Sequence, residues 1–272
     1  MDTILKNYKE VLKLRGLAHR TIERYSSIIS IFLKEYTDPV KVDLVQLTSF
    51  INKTGNGSTK KQTMAALNYM YINLYNSYII KKLPKPKQSD FTPNILTVTE
   101  YRIVLSSIKN IKHRAIISLI YSCALRINEA IFLEIMHISK HEDTIKIVNG
   151  KGGKSAFIPI PPDVKEYLRL YYKKYRPKNY LFEGSIGNKY SKSSIRKVFN
   201  TALKKAKIFK RIRIHDLRHS RATHLLEAGV SVNHVQKLLR HKRITTTEKY
   251  LHLTTSTLAS AIQKADDQLK VA

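Results

Sequence analysis

Cysteine is nearly absent: Cys123 is the single one in 272 residues. An internal disulfide is therefore impossible, and a secreted disulfide scaffold and a cysteine-built zinc finger are both excluded. Long apolar runs are missing too. No stretch approaches the roughly 18 uninterrupted apolar residues of a membrane span. The opening MDTILKNYKE has no signal-peptide apolar core. The chain is expected to be soluble and cytoplasmic, with no membrane partner. Acidic side chains are scarce, 20 Asp and Glu against 49 Lys and Arg, so the formal net charge is +29. Apolar residues reach 43%, enough to bury a core, which excludes a disordered basic tail. A compact domain this far from neutrality repels itself. A polyanion relieves that repulsion, most often nucleic acid, with an anionic membrane surface as the other candidate.

The clearest break runs from Lys81 to Pro93, KKLPKPKQSDFTP, with three prolines and four lysines. Proline favours extended backbone, so this reads as a semi-rigid linker. Residues 1–90 hold 15 basic and 7 acidic side chains, and residues 91–272 hold 34 and 13. Both halves are basic, which suits a partner gripped from two sides. Before the break the period is helical. Leu5, Tyr8, Val11 and Leu12 form one stripe. Ile22, Tyr25, Ile29, Phe32 and Tyr36 form a second, and a short helix fits Asp43 to Lys53. Ser58 is expected to cap a fourth helix, with Met64, Leu67, Tyr71, Leu74 and Tyr78 facing inward. A small helical bundle follows.

After the break the pattern is mixed. Thr97-Val98-Thr99-Glu100 is a capping box. His113 to Tyr121 reads as a buried helix and Arg126 to Ile135 as another. Alternation then takes over in Thr144–Val148 and Ala156–Ile160, around the turn Asn149-Gly150-Lys151-Gly152-Gly153-Lys154. This is a hairpin signature. Helices return from Pro162. The fold class is mainly α with a small β-sheet (α+β). The domains are expected at 1–83 and 96–272, with a linker at 84–95.

Lys204, Lys205, Lys207, Lys210, Arg211 and Arg213 put six cations in ten positions, directly before Ile214-His215-Asp216-Leu217-Arg218-His219. A charge run alone is usually a solvated face. Leading into a His/Arg cluster in so basic a chain, it reads as a phosphate-contacting surface. The candidate reactive groups are Arg126, Lys151, His215, Arg218, His241 and Tyr250. Two guanidiniums can chelate the oxygens of one phosphate and keep their charge at any working pH. Imidazoles can hydrogen-bond those oxygens or shuttle a proton. A phenol is a competent nucleophile once deprotonated, a phosphotyrosine keeps the ester's energy, and a lysine can protonate a departing 5′-oxygen. No acidic cluster or His/Cys set suits a divalent metal. Fixed cations are therefore expected to do that work, with no metal and no cofactor.

Five blocks in order, Cys123–Glu129, Gly150–Lys154, His215–His219, Leu239–His241 and Thr246–Tyr250, resemble the motif blocks of the tyrosine recombinases, the integrase family. The first segment is similar to that family's helical core-binding domain. The resemblance implies a two-domain, C-shaped clamp on double-stranded DNA. It also implies that Tyr250 attacks a scissile phosphate to leave a 3′-phosphotyrosine. Arg126 and Arg218 would stabilise the transition state, and His215 and His241 would bond its oxygens, with His215 taking the Tyr250 proton. Lys151 would be the general acid. Lys154, Lys210, Arg211, Arg213, Arg240 and Lys242 are expected to contact DNA. Four protomers, a homotetramer or a heterotetramer with a sister recombinase, would exchange strands through a Holliday junction. The tail Ser256 to Leu269 resembles the helix that docks onto a neighbour. Two departures stand out: Ala124 and Arg240 occupy positions where the family usually has glycine. With no extra N-terminal arm-type domain, the chain resembles the compact Xer-type enzymes.

His219 and His224 are expected to be structural or supporting, and Cys123 a small buried apolar residue. Glu129 and Asp216 are expected to be counter-charges that orient the arginines. Two other functions would use the same surface: DNA relaxation of the type IB topoisomerase kind, and a non-catalytic DNA-binding module.

Overall fold

The computed structural model describes residues 2–86, 93–148, 155–241 and 243–251. The chain divides into two compact units, Met1–Phe91 and Thr92–Ala272.

In the first unit α1 (Asp2–Leu14), α2 (His19–Glu35), α3 (Leu44–Lys53) and α4 (Gly57–Tyr75) surround one apolar core. The helical stripes turn inward: Tyr8, Leu12, Ile29, Phe32, Leu67 and Tyr71 are all buried. Buried phenols need partners. Tyr8 Oη donates to the Ala66 carbonyl at 2.9 Å and Tyr71 Oη to that of Pro39 at 2.8 Å. Asn56, not Ser58, caps α4, its side chain accepting from the Thr59 N–H at 3.1 Å. The helix ends at Tyr75 because Asn76 turns left-handed, and Tyr78 is 51% exposed instead of facing inward.

The second unit opens with α5 (Val98–Ser106), begun by the expected capping box. Thr97 Oγ1 accepts from the Glu100 N–H at 3.1 Å, and Glu100 Oε2 from the Thr97 N–H at 2.7 Å. Next comes α6 (Ile111–Ser122), buried at every position from Ala115 to Tyr121. The helix expected from Arg126 to Ile135 is only α7 (Ile127–Ile131). Tertiary pairing overrides the helical pattern there. The Ile135 N–H donates to Asn179 C=O at 3.0 Å, and the Leu181 N–H to Leu133 C=O at 2.7 Å.

Strands β1 (Ile138–Ser139), β2 (Thr144–Ile147) and β3 (Ala156–Pro159) form an antiparallel sheet in that order. The alternation orients it: Ile145, Ile147 and Ile158 are buried, while Phe157 faces outward. The hairpin turn at 149–154, with Lys151 and Lys154, lies outside the described residues, as does Lys242. Then follow α8 (Pro162–Tyr175), α9 (Lys192–Lys205), α10 (Asp216–Glu227), α11 (Val232–Leu239) and α12 (Thr245–Glu248). Helix α6 is the spine of this unit, packed against α8, α9 and α10. The stretch Ser256 to Leu269, expected to dock onto a neighbour, also lies outside the described residues. The fold is mainly α with one small sheet among the described residues.

Candidate active site

The site grows from the ends of α6 and α11. Ala124, just past α6, has φ +48°, and Arg240, just past α11, has φ +53°. A left-handed residue at a helix end turns the chain aside and closes the last turn with backbone bonds, here Leu125 N–H to the Ile120 carbonyl and His241 N–H to that of Gln236. Such conformations favour glycine, and here an alanine and an arginine adopt them. Helix C-termini also carry partial negative charge. Both ends point at Arg218, which is 1% exposed. Its Nη1 donates to the Ala124 carbonyl at 2.7 Å and its Nη2 to the Leu239 carbonyl. Arg218 rides on α10, whose start is held by Asp216. That wholly buried carboxylate accepts from the Arg213 N–H at 2.7 Å.

Glu129 gathers the guanidiniums. Arg126 Nη1 lies 2.8 Å from Glu129 Oε1, and the Arg126 N–H donates to Oε2 at 2.7 Å. Arg218 Nη1 is 3.9 Å from Glu129 Oε2, and Arg240 Nη2 is 2.6 Å from it. One carboxylate thus faces three cations, so the cluster keeps a positive excess that suits an anion. Burial pushes Glu129 up, but Arg240 and the bonds from Arg126 outweigh it and hold the carboxyl below its usual range. Burial, then the charges of Arg126 and Arg240, lowers Arg218 to about 9, still protonated at neutral pH. Arg126 keeps 41% of its side chain exposed, so it can meet a ligand from solvent.

Tyr250 is 4% exposed and packs with Ala124, Ala222, Leu226, Val235 and Leu239. Its Oη lies 2.6 Å from His219 Nδ1. Burial raises its pKa, countered by Arg218 and Arg126, so the phenol is protonated at neutral pH. The His215 ring meets the His219 ring edge-on, with centroids 4.8 Å apart. His241 Nδ1 pairs with Thr247 Oγ1 at 2.9 Å, tying the end of α11 to α12. Burial first, then neighbouring charge, lowers all three imidazoles: His219 and His241 to about 4, and His215 in the same direction. All three are neutral at pH 7.

Five of the six expected reactive groups are described: Arg126, His215, Arg218, His241 and Tyr250. Glu129, the helix ends and the edge-on imidazoles link them in the second unit. Among the expected phosphate contacts, Arg211 and Arg213 are exposed. Lys210 is exposed as well, with its Nζ 2.5 Å from Glu100 Oε2 and 2.9 Å from the Ile95 carbonyl. Arg240 differs most from expectation. It is not an outward cation: its side chain is 5% exposed and turned onto Glu129, because the left-handed backbone at 240 aims it into the cluster. The phenol's partner is His219, where sequence suggests His215. The signal was the spacing, since residues 215 and 219 share a helical face. Among the described residues no three His, Cys, Asp or Glu side chains form a group able to hold a metal, and no helix is long and apolar enough to cross a membrane.

Comparison with known proteins identifies the scaffold. Residues 88–257 match the phage integrase family model. The tyrosine recombinase XerA of Pyrococcus horikoshii is 30% identical, over 96% of this chain and 93% of its own length. Among solved structures, the XerH site-specific recombinase bound to palindromic difH substrate superposes with a TM-score of 0.77, at 22% identity, over 93% of this chain and 82% of that one. A lambda integrase tetramer bound to a Holliday junction gives 0.78, at 18% identity, over 92% and 76%. The structural likenesses show the shared fold. The sequence matches run through the whole arginine, histidine and tyrosine site, and the chain belongs to the phage integrase family, as a tyrosine-type site-specific recombinase.

Proposed function

We propose that this site cuts and rejoins double-stranded DNA through a covalent 3′-phosphotyrosine on Tyr250. The supporting observation is the convergence of Arg126 and Arg218 on Glu129 beside the buried Tyr250 cluster. The guanidiniums draw in the non-bridging oxygens of one phosphodiester and neutralise the charge that grows on them during attack. His215 and His241 hydrogen-bond the same oxygens. Tyr250 Oη attacks phosphorus, the bond to the 5′-oxygen breaks, and Lys151 protonates that oxygen as it leaves. The new ester keeps the energy of the old one, so a 5′-hydroxyl from another strand reverses the step and exchanges partners. The exposed cations Arg211 and Arg213, with Lys154 and Lys242, grip the flanking backbone. Lys210, exposed beside them, joins that grip, whereas Arg240 serves the protein's own packing.

Four protomers exchange strands on two sites, as a homotetramer or with a sister recombinase, joined through the stretch Ser256 to Leu269. The tetramer of lambda integrase on a Holliday junction supports this assembly. Such an enzyme works in the cytoplasm on resident or incoming DNA. Relatedness to recombinases favours strand exchange over simple relaxation or passive binding. The test is product topology. Two sites on one plasmid should yield exchanged products, and relaxation of a single supercoiled circle with no exchange would contradict the proposal.

A further inference from the structure

We infer that His219, on the inner face of α10, takes the phenolic proton of Tyr250 as the tyrosine attacks phosphorus. This rests on the reading of Tyr250 as nucleophile and deepens it, because the proton's destination is otherwise unassigned by contact. Oη and Nδ1 are 2.6 Å apart, the short end for a hydrogen bond. In the proposed step Oη is the donor and Nδ1 the acceptor, which puts the imidazole's own proton on Nε2. An acceptor must be neutral, and this imidazole is. Burial keeps it so, with the nearby His215, Arg218 and Arg213 adding to the effect against the opposing charge of Asp216. Tyr250 and these groups are among the titratable and charged neighbours of His219.

The step balances. The Tyr250 Oη–H bond breaks and its proton forms a bond to His219 Nδ1. The oxygen's electron pair forms the bond to phosphorus, and the bond from phosphorus to the 5′-oxygen breaks. That oxygen takes a proton from the general acid. The incoming phosphodiester brings negative charge beside Arg218, offsetting the cationic repulsion that adds to burial in keeping His219 neutral. The base therefore strengthens when substrate arrives. His215 is left free to bond a phosphate oxygen. His219 touches the reacting oxygen and so counts as a catalytic residue.

The test uses the full chain on a suicide substrate, a nicked duplex that traps the covalent adduct, with rates normalised to bound DNA. His219→Ala should form adduct about 100-fold more slowly or worse, the usual range for a lost general base. Free imidazole should restore at least tenfold. A loss under tenfold, a loss that imidazole leaves unrepaired, or faster cleavage would overturn the inference; faster cleavage would make His219 a restraint on Tyr250. His219→Gln guards against misfolding. It keeps an acceptor for the phenol but cannot take the proton, so it should bind DNA like the parent and cleave at least tenfold more slowly. Parental cleavage by this variant would also overturn the inference. Tyr250→Phe separates the two levels. Adduct formed without the phenol defeats the nucleophile reading itself. No adduct from Tyr250→Phe with undiminished cleavage by both His219 variants defeats the His219 assignment alone.

Discussion

Arg126 and Arg218 approach opposite oxygens of one carboxylate, that of Glu129, at 2.8 Å and 3.9 Å. With Arg240 on the same group, a single negative charge keeps three guanidiniums from repelling one another. Removing it strands buried cations, which commonly costs about 3–5 kcal/mol. Glu129→Gln should therefore lower the free energy of unfolding by about 3 kcal/mol in chemical denaturation. An unchanged midpoint would mean that the cluster does not depend on this carboxylate.

Arg126 is half in solvent, so its truncation should leave the fold intact and strike the reaction. Arg126→Ala is expected to slow adduct formation about 100- to 1000-fold, the scale of one lost transition-state donor. The DNA dissociation constant should change little. Equal losses in binding and cleavage would make Arg126 an anchor with no special hold on the transition state.

Arg240→Gly exchanges two effects. Glycine relieves the left-handed backbone at φ +53°, worth about 1 kcal/mol. The change also removes the ion pair with Glu129 and the bond to the Leu238 carbonyl. The loss outweighs the relief, and a net destabilisation of about 1–2 kcal/mol is expected. Thermal melts of parent and variant decide it; a more stable variant would show that backbone strain dominates at this turn.

The neutral histidines set a pH dependence of stability. His219 and His241 have folded-state values near 4 against 6.5 in a free chain. Between these limits the unfolded chain binds more protons, so the stabilisation is complete above pH 6.5 and falls away as pH drops toward 4. The melting temperature without DNA should therefore be clearly lower at pH 5 than at pH 7.5, and His219→Gln should flatten the difference. A melting temperature independent of pH over that range would contradict neutral, buried imidazoles.

The net charge of +29 makes a prediction about binding. If the protein neutralises six or more phosphates, affinity for duplex DNA should fall about 1000-fold between 50 and 200 mM salt. A flat response would remove the electrostatic grip.

How legible the site was in the sequence depended on the kind of contact. Period and capping chemistry are local, so α1 to α4, the Thr97 cap and the β2–β3 alternation could be read directly. The early end of α7 could not, because residues 179–181 reach in from far along the chain to take its backbone. The candidate residues were legible as motif blocks, but their partners were not. Arg240 reads as an exposed cation until the left-handed turn aims it at Glu129. His219 reads as support until folding brings Tyr250 to its Nδ1. Directions of side chains set by backbone turns and by tertiary packing carry no linear signature.

The most direct measurement is the protein–DNA adduct itself, trapped on a nicked suicide duplex and mapped by mass spectrometry. The parent chain should carry the 3′-end of DNA on Tyr250, and Tyr250→Phe should carry none while still binding the duplex. An adduct on any other residue, or one that survives the substitution, would contradict the account.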